Sequence, residues 1–442
     1  MFFKRTAYLL AFASTILASN GAGAETLREA AAQALQFHPS VEAALAQLDA
    51  AKAAKREQVS GYFPDVSVAA TGGRVFQDNS TSRGLSVTRG DAYSYYGEGS
   101  VTMRQMLFDG LETPSRVSSA KARRMSALNT VADLRETLTL RAVQAYIEVL
   151  RTRIGLQMLT EHKRKVDNYL ARIKSSVDQG GSDAAELQQA SDVSSILDGI
   201  IADFEGQKRF AEANYMEVMG HMPGDDLVKP TTQLNISLDK MESVVEQAQF
   251  THPSLLAAKF TTKAAKYDAR AERAQIFPEF DGELSYLEND KRDVIGGEST
   301  DARAVVKMSW NFSTGGAQLA RIKQKKLDHK QSLARMEDLK RQIERDIRLA
   351  YSEYATAKDQ LDVAYQRAFL NEKLFGTYEA QFEGAKISLL QLMQAENQLL
   401  NTKLEQMNGE HRLLQAGYGV LASVGRLQEA LDLDPAAGDG KK

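Results

Sequence analysis

Cysteine is absent from the 442 residues, which excludes a disulfide scaffold, a thiolate zinc site, a cysteine nucleophile and lipidation of an N-terminal cysteine. Proline is scarce at 8 residues and tryptophan occurs once, against abundant Ala, Gln, Leu, Lys and Glu. That balance favours long helices over a compact mixed sheet. A large net charge is lacking too: −3 overall, or −5 once Lys4 and Arg5 leave with the leader described below, gives no bulk attraction to nucleic acid. Beyond the leader no run of 18 apolar residues occurs, so any insertion into a membrane must use strands.

The chemistry of sites is equally thin. The six His stand at 38, 162, 221, 252, 329 and 411, and no two are spaced i, i+4 as a helical metal site requires. Gly-rich phosphate loops are missing, and the many Glu and Asp on the long helices read as solvated or paired with Lys and Arg rather than catalytic. No catalytic residue, metal site or cofactor is expected, and the chain reads as no enzyme.

What the chain does have begins with a leader over residues 1–24: Lys4 and Arg5 at the charged end, an apolar run over 7–18, and Ala22-Gly23-Ala24 as a small-residue cleavage site. The remainder is duplicated. His38-Pro39-Ser40 recurs as His252-Pro253-Ser254 and Phe63-Pro64 as Phe277-Pro278, both 214 residues apart, whereas Gly110/Gly315, Leu134/Leu339, Ala145-Tyr146/Ala350-Tyr351 and Gly220/Gly425 are 205 apart. The nine-residue change falls between the Phe-Pro and Gly landmarks, where a loop tip is expected.

Each half has the same order. Ala-rich helices over 39–58 and 253–274 carry Pro at the first helical position, which puts His38 and His252 at the N-caps. Phe-Pro ends each helix. Alternating segments follow, 66–76 with 95–107 and 280–288 with 302–312, joined by polar Gly-rich tips over 78–90 and 289–300. Val101, Met103, Val306 and Met308 fall on one face and are expected to meet lipid; Thr102, Arg104, Val305 and Lys307 fall on the other and are expected to face a lumen. Long helices at 113–178 and 317–383, each about 100 Å at 1.5 Å per residue, carry a coiled-coil stripe. Gly180-Gly181 and Gly384 break them, and returning helices span 183–219 and 388–424. The organisation is a first repeat over 25–220 (hairpin 65–107), a linker over 221–240, a second repeat over 241–431 (hairpin 279–312) and a tail over 432–442. The basic runs Lys121-Ala122-Arg123-Arg124 and Lys323-Gln324-Lys325-Lys326 stand just after each hairpin and read as structural, at the membrane-proximal ends of the rods.

Four strands cannot close a spanning barrel, so a spanning chain must oligomerise; three copies give twelve strands. The two-fold repeat, Leu107-Phe108-Asp109-Gly110 before the first rod, Gln188-Gln189-Ala190 and Gln394-Ala395-Glu396-Asn397 after the turns, and the closing Leu421-Ala422-Ser423-Val424-Gly425-Arg426-Leu427 together resemble the TolC family of outer-membrane efflux and secretion channels. The resemblance implies a mainly α fold of long helical hairpins with a β-barrel contribution: a homotrimer with a twelve-stranded barrel in outer-membrane lipid and a helical tunnel in the periplasm. It implies partners as well, a periplasmic adaptor and an inner-membrane transporter of ABC or RND type, and no nucleic acid. Type I protein secretion is the first expectation, small-molecule efflux the alternative, and a periplasmic coiled-coil adaptor or scaffold the distant one. Gly180, Gly181, Ser182, Gly384 and Lys386 mark the tips expected to dock the adaptor. Where the family can carry an acidic ring inside the second returning helix, this sequence has Gln391 and Gln394, with Glu186 equivalent to Gln391 in the first half; these three are the expected constriction.

Overall fold

The computed structural model describes residues 24–76, 93–181, 183–230, 236–291, 298–311, 315–384 and 386–433. The leader up to residue 23, the first hairpin tip over 78–90, residues 292–297 of the second, Phe312, Ser182 and the tail beyond 433 lie outside the described residues, and the rest of the expected second tip, 289–291 and 298–300, is strand. The elements run α1 (Leu27–Phe37), α2 (Pro39–Ser60), β1 (Asp65–Phe76), β2 (Tyr93–Phe108), α3 (Glu112–Asp178), α4 (Ala184–Met219), a 3-10 turn (Leu238–Lys240), α5 (Met241–Thr251), α6 (Pro253–Ala274), β3 (Glu279–Lys291), β4 (Glu298–Ser309), α7 (Ala317–Glu383), α8 (Leu389–Ser423) and α9 (Leu427–Ala430). The fold is mainly helical with one four-stranded antiparallel sheet. Two compact units form, one from Met1–Val41, Arg135–Val245 and Arg345–Lys442, the other from Glu42–Leu134 and Glu246–Glu344.

The second unit holds the sheet, ordered β1-β2-β3-β4. Register aligns Val66 with Met103 and Val68 with Val101, then Met103 with Leu284 and Val101 with Tyr286, then Leu284 with Ala304 and Gly282 with Val306. Directly opposed residues share a face, so one face is apolar through its middle rows on all four strands, with Arg74, Gln105, Glu288 and Asp290 toward its ends. Its reverse carries Ser67, Thr102, Arg104, Asp281, Glu283, Arg303 and Lys307, with ion pairs Arg104–Asp281 and Lys307–Glu283. Alternation stops earlier than the sequence suggests. A bulge between Met106 and Phe108 leaves Leu107 without a partner on β3. On the other hairpin β4 ends at Ser309, because the Trp310 indole donates to the Ile276 carbonyl at 3.1 Å and turns the chain out of the ladder.

Caps explain the helix ends in this unit. Asp109 accepts from the Thr113 amide at 2.6 Å, and Gly110 and Leu111 follow with φ of +67° and +73°. A Cβ at Gly110 would sit 2.5 Å from the Ala274 carbonyl oxygen, so glycine is required there for two reasons. His252 is at the N-cap of α6, yet its side chain makes no capping bond: it is buried, its Nδ1 has no hydrogen-bond partner, and burial lowers its basicity.

In the first unit His38 does cap, accepting from the Ser40 amide at 3.1 Å. Small residues let helices close in: Ala30, Ala34, Ala142 and Val143 are fully buried around Tyr146, Tyr215 and Leu414. Glu25 pairs with Leu227 as a parallel bridge. The Tyr146 hydroxyl lies 2.7 Å from the Glu25 carbonyl, and Tyr215 donates to the Glu25 carboxylate at 2.6 Å. Burial comes first in raising both phenols above their ordinary value, followed by the Glu25 charge for Tyr146 and by the hydrogen bond to Glu25 for Tyr215. The buried Glu136 carboxylate accepts from the amides of Leu427 and Gln428 at 3.0 and 3.3 Å, which fixes the closing segment after the Gly425 turn.

Candidate functional site

The turn between α3 and α4 closes by a pair of backbone bonds, Gly180 N–H to Val177 at 3.0 Å and Gly181 N–H to Ser176 at 2.8 Å. This is the Schellman arrangement, and it needs the left-handed φ of +75° that Gly180 adopts. Asp183 then caps α4 by accepting from the Ala185 amide at 3.2 Å. Glu186 is half-buried in the first turn of α4, with no hydrogen bond or ion pair from its side chain among the described residues.

The turn between α7 and α8 repeats the closing bond that spans five residues, with its glycine one residue earlier. Gly384 is not in the left-handed region, and a Cβ there would meet only ordinary contacts at 3.6 Å or more. The long closing bond is made by the Lys386 amide to the Gln381 carbonyl at 2.9 Å, while Lys386 is exposed. Ser388 and Gln391 form a capping box: the Ser388 hydroxyl accepts from the Gln391 amide at 3.3 Å, and the Gln391 carboxamide oxygen accepts from the Ser388 amide at 3.0 Å. Gln391 therefore spends its carbonyl on its own helix end. Gln394, one turn on, is exposed, with no side-chain hydrogen bond among the described residues.

Both turns converge on one apolar core. Leu159, Val166 and Ile173 of α3, seven residues apart, pack with Ala190 and Leu197 of α4 and with Leu390 and Met393 of α8. At Gly155 of α3 a Cβ would clash with the Phe204 ring and lie 3.2 Å from the Met407 methyl.

A polar cluster in this region escaped the sequence reading. Glu396 is 4% exposed and pairs with Lys165 at 2.7 Å, leaving its Oε2 buried without a partner. His162, 5% exposed, meets the Asn397 carboxamide at 2.5 Å. Burial pushes the His162 imidazole below its ordinary value, against the opposing Asn397 bond, and keeps it neutral at physiological pH. Burial, then the Glu396 carboxylate, raises the Tyr169 phenol. The signal was present as an acid and an amide at 396 and 397, three and four residues after the core Met393.

A family model described as "Outer membrane efflux protein" matches residues 30–221 and 244–426. The outer membrane efflux protein BepC of Brucella suis biovar 1 is 24% identical over 426 residues, covering 93% of this chain and 88% of BepC. Outer membrane protein TolC of Vibrio cholerae serotype O1 is 23% identical over 435 residues, covering 95% of each. Among solved structures, the Campylobacter jejuni CmeC outer membrane channel shares the fold with a TM-score of 0.79 at 13% identity, over 91% of this chain and 86% of that one.

Proposed function

This chain belongs to the outer membrane efflux protein family, and from that premise we propose that three copies close into a single channel carrying cargo from the periplasm to the outside. Residence in the outer membrane and a channel role rather than an enzymatic one come with the family. The observation that supports the trimer is the sheet: one apolar face, one polar face, and outer edges on β1 and β4 with no partner among the described strands. In lipid such edges leave backbone groups unsatisfied, and only closure removes the cost. Three four-stranded sheets give a twelve-stranded barrel with Val101, Met103, Val306 and Met308 outward. The leader directs export and is removed.

At the opposite ends of the long helices, the turns holding Gly180, Gly181, Ser182, Gly384 and Lys386 dock a periplasmic adaptor, through which an inner-membrane ABC or RND transporter supplies energy. Gln394 and Glu186 line the constriction, with Gln391 contributing the amide nitrogen its capping bond leaves free. Type I protein secretion is the cargo route we propose; small-molecule efflux is the second reading, supported by the efflux name of BepC. A deletion strain separates them. Loss of a secreted protein with unchanged drug tolerance is expected for the first, hypersensitivity to drugs with normal secretion for the second, and no phenotype of either kind would contradict the export function itself.

A further inference from the structure

Five cations on α6, Lys259, Lys263, Lys266, Arg270 and Arg273, follow one another at spacings of four and three, and all are exposed. The residues that α6 turns to its neighbours lie elsewhere. Ala264 and Asp268 meet Ser119 of α3, while Thr262 and Glu272 meet Ser332 and Arg321 of α7. Helix α7 has its own exposed row, Lys323, Lys326 and Lys330. The antiparallel pairs Thr262–Ser332, Glu272–Arg321 and Gln275–Gln318 fix the levels: Arg270 stands beside Lys323, Lys266 beside Lys326, and Lys263 beside Lys330. Each row lies about 100° round its helix from the line of contact, and opposite chain directions bring both to the same side of the pair.

The result is a ladder of like charges. None of these cations ion-pairs with a described residue, because the acids of α6 are committed on its other sides, Asp268 to Arg123 and Glu272 to Arg321; Arg270 only stacks over Tyr267. Helix axes about 8–10 Å apart hold the rungs within about one Debye length at physiological salt. The fold does not demand this arrangement: the equivalent positions of the first repeat carry Leu45, Asp49, Lys52, Arg56 and Val59, where Lys52 is paired with Asp49.

Geometry selects the occupant. From Lys259 to Arg273 the row extends about 21 Å along the helix, whereas a bilayer's headgroup layer is only about 5–7 Å deep, so a lipid surface at the strand ends reaches one rung. Rungs repeat at about the pitch of an α-helix, and exposed Leu319 and Leu333 edge the row on α7. We propose that this face docks an acidic amphipathic helix of a partner protein, laid along α6 and α7 with carboxylates at three- and four-residue spacing against the rungs. The inference does not draw on the helix turns of the other unit, where the export reading docks its adaptor.

The test uses the full chain in detergent and a fluorescent synthetic helix of four heptads, with Glu on one edge and Leu beside it, against a scrambled peptide of the same composition. Saturable binding of the helical peptide that weakens with salt is expected. Combined Lys263→Glu, Lys266→Glu, Lys326→Glu and Lys330→Glu should weaken it about tenfold or more, the same four changes to Gln should weaken it less, and Lys52→Glu should leave it unchanged. Equal binding of the scrambled peptide, or parent-like binding by the four-Glu variant, overturns the proposal. A charge-dependent association seen only with phosphatidylglycerol vesicles, and not with the peptide, would assign the face to lipid and overturn it as well.

Discussion

Glycine at a turn does different work at each position, and the backbone separates the cases. Gly110 has both a positive φ and a carbonyl oxygen in the space a Cβ would need, whereas Gly180 has the positive φ with open surroundings, and Gly384 has neither constraint. Gly110→Ala should therefore destabilise by about 2–4 kcal/mol, Gly180→Ala by about 1 kcal/mol, and Gly384→Ala by less than about 0.5 kcal/mol. Thermal unfolding of the purified variants checks the order, and an Ala at Gly384 costing as much as one at Gly110 would refute it. Gln391 is a second residue whose place changes its reading: with its carbonyl in the capping box, Gln394 and Glu186 carry the constriction. In planar bilayers Gln394→Asp should create block by trivalent cations from the periplasmic side and Glu186→Gln should reduce cation selectivity. If neither alters block or selectivity, these side chains do not line the narrow part.

Among elements, the hairpins and long helices were legible because their signals repeat: period two over the strands, three and four over the rods, and the same order in both halves. Single events inside an element were not. The bulge at Leu107 and the early end at Ser309 arise from contacts with β3 and Ile276, and His252 lost its expected capping role to burial, none of which a local pattern encodes. The Glu396, Asn397 and His162 cluster was hidden for a similar reason, since exposed and buried acids on a helix look alike until the neighbouring helix is placed. Two expectations follow. Val306→Arg, on the apolar face, should cost up to about 2–4 kcal/mol and Val305→Arg little; the yield of folded protein in outer membranes reads the difference, and equal losses would remove the facial assignment. His162, His252 and His411 are each held below their ordinary value, in every case by burial first. Their contribution to stability is then complete above about pH 6.5, the unfolded value, and is lost as pH falls from there toward the lowered folded values. The unfolding midpoint should drop between pH 7 and 5, and His162→Gln should flatten part of that drop; an unchanged slope would exclude His162.

At the scale of the whole molecule, duplication explains how one sequence supplies both ends of a conduit. Each half contributes one hairpin to the sheet and one long helix whose residues are divided between the two units, so two repeats per chain and three chains give six such arms. The chain's small net charge of −3 conceals a local contrast, since of the eight cations on α6 and α7 only three have a basic equivalent in the first repeat, Lys52, Arg56 and Lys121. Closure of the sheet edges between copies is the claim on which the rest depends. The direct measurement is the native mass of the protein extracted from outer membranes in mild detergent. Three chains per particle are required by a twelve-stranded barrel, and a single chain recovered from the periplasm without detergent would contradict the account.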